Sequence, residues 1–188
     1  MDYKALIEQT KPLYDRWNRI LKDDVHFFLP PTSIHTYGHC DRVLKYGLVI
    51  GKEEGLTDDQ MQSLAASCIF HDCGRKDDYV DFRHGERSAQ KYKVYCLTHE
   101  LEFDNRSYLA IFYHNLSDDE GIRAFEKNGL KEDICILNIL KDADALDRFR
   151  ISDNNLIIKM LRTETAKDEQ MIARAFIYNK YNRIHGLY

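Results

Sequence analysis

Residues 57–72 read TDDQMQSLAASCIFHD, and this stretch decides the class of the fold. Thr57 with Gln60 three positions on is a capping-box pattern that starts a helix. Met61, Leu64, Ala65, Cys68 and Ile69 then recur at spacings of three and four, the stripe of a helix with one buried face. The stripe runs straight into His71 and Asp72: Asp72 lies four residues after Cys68 and seven after Ala65, and His71 seven after Leu64. A carboxylate on an apolar face costs several kcal/mol unless it is paired or bound to a metal. This helix end is therefore a candidate site.

Working outward, the chain continues in helical period on both sides. Upstream, apolar residues from Tyr3 to about Leu21 predict a first helix, and HFFLPPTS at residues 26–33 breaks it. Thr36 is placed to cap a helix that runs to about Glu54, with His39, Val43, Tyr46, Gly47 and Ile50 on one face, and Gly55 ends it. Downstream, residues 74–83 form a polar loop, and a helix follows from His84. Further helices are predicted near 107–115, from the capping box at Ser117 to about Lys127, over 131–150, and over about 153–163 and 168–183. No stretch alternates with period two long enough to demand a strand. The expected fold is an all-α bundle of about seven to nine helices in one domain spanning residues 1–188.

Composition narrows the function classes. Hydrophobic residues at 44%, with only 9 Gly and 3 Pro, exclude disordered and collagen-like readings. A formal net charge of −4 supplies no basic field for a nucleic-acid polymer or an anionic membrane. Cys40, Cys68, Cys73, Cys96 and Cys135 are odd in number, form no CxxC pair and read as reduced core thiols. The first thirty residues contain no apolar h-region, and no apolar run approaches the ~20 residues of a membrane span. A cytoplasmic location is the expectation.

A second segment repeats the logic of the first. In KDADALD, residues 141–147, helical phase puts Asp142 on the polar arc with Asn138 and Lys141. Asp144 lies seven after Leu137 and four after Leu140, which makes it the best inward acid, with Asp147 second. His39 shares a face with Val43 and Tyr46. Each of these residues, taken singly, also reads as a satisfied core histidine or a hydrogen-bonded buried aspartate. Together His39, His71, Asp72 and Asp144 supply two imidazoles and two carboxylates, a set suited to Mn²⁺, Fe²⁺, Ni²⁺, Zn²⁺ or Mg²⁺.

The order of His39 in GHCDRV, His71-Asp72 in FHDCGR and Asp144 in DADALD resembles the HD superfamily of metal-dependent phosphohydrolases, over roughly residues 35–150. The resemblance implies a compact HD-like bundle with the terminal helices packed on this core. It also implies that His39, His71, Asp72 and Asp144 hold a metal that polarises a phosphate and activates a water. His84 in HGERSA and His114 in FYHN suit the extended binuclear order H…HD…H…H…D, so one or two ions per chain are expected. Alternatively, His84 and His114 contact phosphate around a single ion. Asn115 follows His114 where some members carry adjacent histidines, and the GYP loop of cyclic-dinucleotide phosphodiesterases is absent.

Around these positions, Arg75 and Lys76 either meet phosphate oxygens or pair with Asp77, Asp78 and Asp81 in a solvated loop. Arg42 and Arg148 are candidates for anchoring the ligand carboxylates. His35 is expected in the loop before the His39 helix, within reach of substrate, whereas His26, His99 and His185 have no partners at ligand spacing. Tyr92 to Tyr95 reads as helix packing. The expected activity is hydrolysis of a phosphoester or phosphoanhydride bond in a small phosphorylated metabolite, a nucleotide by preference, with Asp72, His84, His114 and Arg75 as catalytic candidates. Two other readings share the fold: a di-iron oxygenase, which would use the same six ligands, and a non-catalytic nucleotide sensor. The oligomeric state is left open.

Overall fold

The computed structural model describes residues 2–186, which form nine α-helices and no strand. The helices are α1 (Tyr3–Asp23), α2 (Tyr37–Glu53), α3 (Asp58–Phe70), α4 (His84–Thr98), α5 (Asn105–Tyr113), α6 (Asp118–Lys127), α7 (Ile134–Leu146), α8 (Glu164–Lys167) and α9 (Glu169–His185). The all-α expectation is met. Both capping boxes form: the Gln60 amide donates to Thr57 Oγ1 at 3.3 Å and the Thr57 amide to Gln60 Oε1 at 3.1 Å, and Ser117 and Glu120 repeat the pattern. Gly55 takes φ +78 just past α2, a left-handed turn that a side chain would strain.

Helices α2 and α3 pack against each other at the centre, with α1 across both on one side and α7 across both on another. Helix α5 crosses α3 and α7, α4 pairs with α5, and α9 lies on the 3-10 turn Asp147–Arg150 that follows α7. Leu44, Leu48, Ile50, Leu64, Ile69, Ile111, Ile136, Leu137 and Ile139 are fully buried where these helices meet. Each such side chain contributes about 1.5–3 kcal/mol on leaving water. Cys40, Cys68, Cys73 and Cys96 are buried, Cys135 is half-buried, and all five are free thiols. Tyr92 and Tyr95 are buried against Phe70, as helix packing requires. Among the described residues, no helix is long and apolar enough to cross a membrane.

Three local readings need correction. Thr36 occupies the cap position of α2, but its hydroxyl donates backwards to the Ser33 carbonyl at 3.0 Å and caps no helix amide. Residues 153–163 are not helical beyond the 3-10 turn Ile158–Met160. Asn154 and Asn155 favour turns there, and the amides of Arg162 and Thr163 are taken by the Asp142 carboxylate at 2.9 and 2.8 Å instead of by helix carbonyls. The same bonds correct Asp142 itself. It is fully buried beneath this segment, with the Arg162 guanidinium 3.2 Å away, and does not lie on a solvated arc.

Gly74 shows how tightly the loop after α3 meets α4. A Cβ at this position would lie 2.4 Å from the Ser88 amide nitrogen and 2.7 Å from the Arg87 carbonyl carbon, both backbone atoms. Gly74→Ala must therefore push α4 away from α3. The expected outcome is a loss of about 1–3 kcal/mol in urea-induced unfolding, with weakened metal retention because His84 opens α4.

Candidate metal centre

Helix ends build this site. His39 sits in the first turn of α2, and His71 caps the C-terminus of α3 with Asp72 in the turn beyond. His84 is the first residue of α4, and His114 caps the C-terminus of α5. His71 and His114 use the same local device: Nδ1–H donates to the carbonyl three residues earlier, Cys68 at 2.9 Å and Ile111 at 2.7 Å. Each bond satisfies one of the carbonyls left free at a helix end.

The other two histidines are fixed through the same nitrogen. His84 Nδ1–H donates to the Asp81 carbonyl, and His39 Nδ1–H donates to Asp147 Oδ2 at 2.7 Å. With all four Nδ1 atoms serving as donors, the neutral form of each imidazole carries its lone pair on Nε2. These lone pairs face one another: His39 and His71 approach to 3.0 Å, and His84 and His114 to 2.9 Å.

Asp72 stands between the two pairs. Its Oδ2 lies 3.5 Å from His39 Nε2 and 3.9 Å from His71 Nε2, and its Oδ1 lies 3.1 Å from His84 Nε2 and 3.5 Å from His114 Nε2. Asp144 Oδ1 completes the first group at 3.2 Å from His39 Nε2. Ligands about 2.1 Å from a common ion lie about 3.0–3.4 Å apart at octahedral or tetrahedral angles. The donor set could thus hold one cation at His39, His71 and Asp72, with Asp144 beside His39 at the edge of that group, and a second at Asp72, His84 and His114.

Electrostatics favour the ligand-ready forms of Asp72 and His71 but not of His39. Burial alone would raise the pKa of Asp72, but His71, His114, His84 and His39 outweigh it and hold the carboxyl well below the usual range. Burial pushes His71 down to about 4, so its imidazole is neutral at pH 7. His39 moves the other way: burial and Arg150 oppose its charged form, and hydrogen bonds to Asp144 and Asp147 prevail. The field at the first group therefore favours one positive charge.

Asp147 is fully buried and orients His39, while its oxygens accept from Arg42 Nε at 2.6 Å and Nη2 at 3.1 Å. Arg42 thus anchors the acid that supports His39, and not one of the expected ligand carboxylates Asp72 and Asp144. Arg148 anchors none of these acids, because it bonds Asn155 at the surface, and Arg150 takes that place 3.4 Å from Asp147. Arg150 lies three residues after Asp147 across a 3-10 turn, a spacing legible only once the helix is known to tighten there.

Arg75 lies against the cluster. Nη1 is 3.2–3.3 Å from both ring nitrogens of His84 and 3.9 Å from Asp72, Nη2 donates to the Tyr79 carbonyl, and the buried Nε has no partner. Of the loop acids, Asp81 pairs with Arg87 and Asp78 with Ser33 and His35, leaving Arg75 directed to the site. Lys76 is exposed. His35 sits in the loop before α2, 5.8 Å from the His39 ring, with its pKa pushed down to about 3 by burial. His26, His99 and His185 lie outside the cluster; His99 stacks on Tyr95. Asn115, which bonds the Phe82 carbonyl and lies 3.4 Å from His84 Nδ1, carried no signal in the sequence.

The cluster is nearly closed, with the Asp144 side chain 37% exposed and the other five ligands at 8% or less. A groove of about 1040 Å³ lies elsewhere, between α1, α2 and α9, and gathers no comparable donor set. Comparison with protein-family models, curated proteins and solved structures finds no match to this chain. The donor geometry therefore carries the assignment.

Replacing both His84 and His114 with Ala is expected to lower the metal content of the Mn²⁺-reconstituted protein from two ions per chain to one, read by mass spectrometry of the metal. Asp72→Ala should remove both ions. Unchanged stoichiometry in the double variant would reject the second site.

Proposed function

We propose that this chain is a metal-dependent phosphohydrolase of the HD type that cleaves a phosphoester or phosphoanhydride bond in a small phosphorylated metabolite, with nucleotides the favoured class. The observation that carries the reading is spatial. The residues that run His39, His71-Asp72, His84, His114, Asp144 along the chain meet as two histidine pairs about one carboxylate.

His39, His71, Asp72 and Asp144 would hold one divalent ion, Mn²⁺, Fe²⁺, Ni²⁺, Zn²⁺ or Mg²⁺, and Asp72, His84 and His114 a second. Such ions neutralise charge on phosphate oxygens and lower the pKa of water towards ~7. The chain supplies the rest. Arg75 offers a guanidinium whose Nε lacks a partner, suited to a phosphate oxygen. Asp72, held ionised by the surrounding imidazoles, would accept a hydrogen bond from an attacking water and orient it. Near-complete enclosure keeps bulk water from the reacting groups.

A di-iron oxygenase would use the same six ligands, but it gives Arg75 no task, and a nucleotide sensor would need no ionised carboxylate at the centre. The test is a phosphate-release screen over nucleotides and sugar phosphates with each of the five metals. Turnover is expected with at least one metal, and Asp72→Ala or Asp144→Ala should lose more than the ~10–100-fold typical of a residue that only orients a ligand. Two irons per chain with O₂ uptake and no phosphate release would overturn the reading in favour of the oxygenase, and nucleotide binding without turnover would favour the sensor.

A further inference from the structure

The loop between the Asp72 turn and α4 combines a fixed backbone with uncovered rings. Its backbone is held at many points. The Tyr79 carbonyl accepts from Arg75 Nη2 at 2.8 Å, and the Tyr79 amide donates to Asp77 at 2.8 Å. Asp78 accepts from Ser33 and His35, Asp81 accepts from Arg87 and the Lys76 amide, and the Phe82 carbonyl accepts from Asn115 at 3.0 Å. Yet Tyr79 is 84% exposed and Phe82 is 79% exposed, more than any other large apolar or aromatic side chain among the described residues.

Two of those tethers reach the metal centre directly. Arg75 contacts His84 and Asp72, and Asn115 lies beside His84 and follows His114. The backbone beneath both rings is thus held by side chains that touch the ligands, which fixes the points from which the rings project relative to the Arg75 guanidinium. Rings held in water by a pinned loop regain favourable burial only when something covers them. A flat π surface suits that task, because aromatic side chains stack on any base face.

We propose that Tyr79 and Phe82 recognise the aromatic part of the substrate, so that the ligand is a phosphate ester of a nucleoside and not of a simple sugar. This rests on the phosphate-binding reading of the centre and names the substrate class. Arg75 takes the phosphate at the foot of the loop, the rings take the base at its tip, and the sugar spans the two.

The experiment compares non-hydrolysable phosphonate analogues of adenosine monophosphate and ribose 5-phosphate, titrated calorimetrically into Mn²⁺-loaded protein. Wild type is expected to bind the adenosine compound at least about tenfold more tightly, the size of one stacked base. The Tyr79→Ala/Phe82→Ala double variant should bring the ratio of the two affinities near one, and the Tyr79→Phe and Phe82→Tyr variants should keep it. Because both affinities are read on the same protein, partial unfolding cancels from the ratio. A ratio near one in wild type, a ratio unchanged in the double variant, or no binding of either compound would overturn the proposal. Ring-dependent binding without phosphate release from any nucleotide would support it and overturn the hydrolase reading instead.

Discussion

The Asp72 carboxylate, shared between two pairs of imidazole nitrogens, is the constraint on which the site and much of the fold depend. Four Nε2 lone pairs and a buried anion cannot satisfy one another by hydrogen bonding, because every member accepts and none donates. Leaving such groups unpaired costs several kcal/mol, far more than a single packing contact returns. Positive charge must enter the cluster, as protons or as metal ions, and the pKa pattern shows where: His39 is raised while His71 is lowered. Protons and metal compete for the same lone pairs, so ion binding should release protons.

The fold serves this constraint through helix ends. A helix terminus leaves backbone groups free within its last turn, and His71 and His114 each satisfy one carbonyl while aiming the opposite nitrogen at the centre. His39 needs a different support, since an early turn of a helix presents amides and not carbonyls. Asp147 provides it, with its own charge offset by Arg42 and Arg150. Removing one member of such a buried set leaves an uncompensated charge, which is how the second layer constrains the first.

The helical class was legible because capping boxes and stripes of period 3.6 are local signals. The same phase argument picked out His39, His71 and Asp72, since each interrupts an apolar face, but it ranked Asp144 above Asp147 as the inward acid, and the structure reverses that order: Asp147 is fully buried and the Asp144 side chain is 37% exposed. His84 and His114 sit at helix ends, where periodicity says nothing, and only their order along the chain pointed to them. Asp142 misled for a related reason: its phase is polar on an isolated helix, and it became buried because residues 160–163 fold over it and bond to it. Arg150 stands where Arg148 was expected because α7 tightens into a 3-10 turn at Asp147, which rotates every later side chain away from the α-helical phase. Tertiary cover and helix tightening are non-local, and neither has a signature in residue spacing.

Charge balance links the donor set to the chemistry of its ligand. Arg42 offsets Asp147 and Arg150 adds a further positive charge behind it, while the centre itself presents the negative charges of Asp72 and Asp144. One divalent ion would cancel these two charges, leaving Arg75 and Arg150 as positive charges around the centre. A second ion on Asp72, His84 and His114 adds charge without adding a carboxylate, because those two imidazoles are neutral ligands and Asp72 is already counted. The excess in the doubly loaded site therefore matches an incoming dianion better than a neutral substrate. The sharing of Asp72 between both groups, the feature that makes the cluster demand positive charge, is on the proposed reading also what would suit the centre to an anionic ligand.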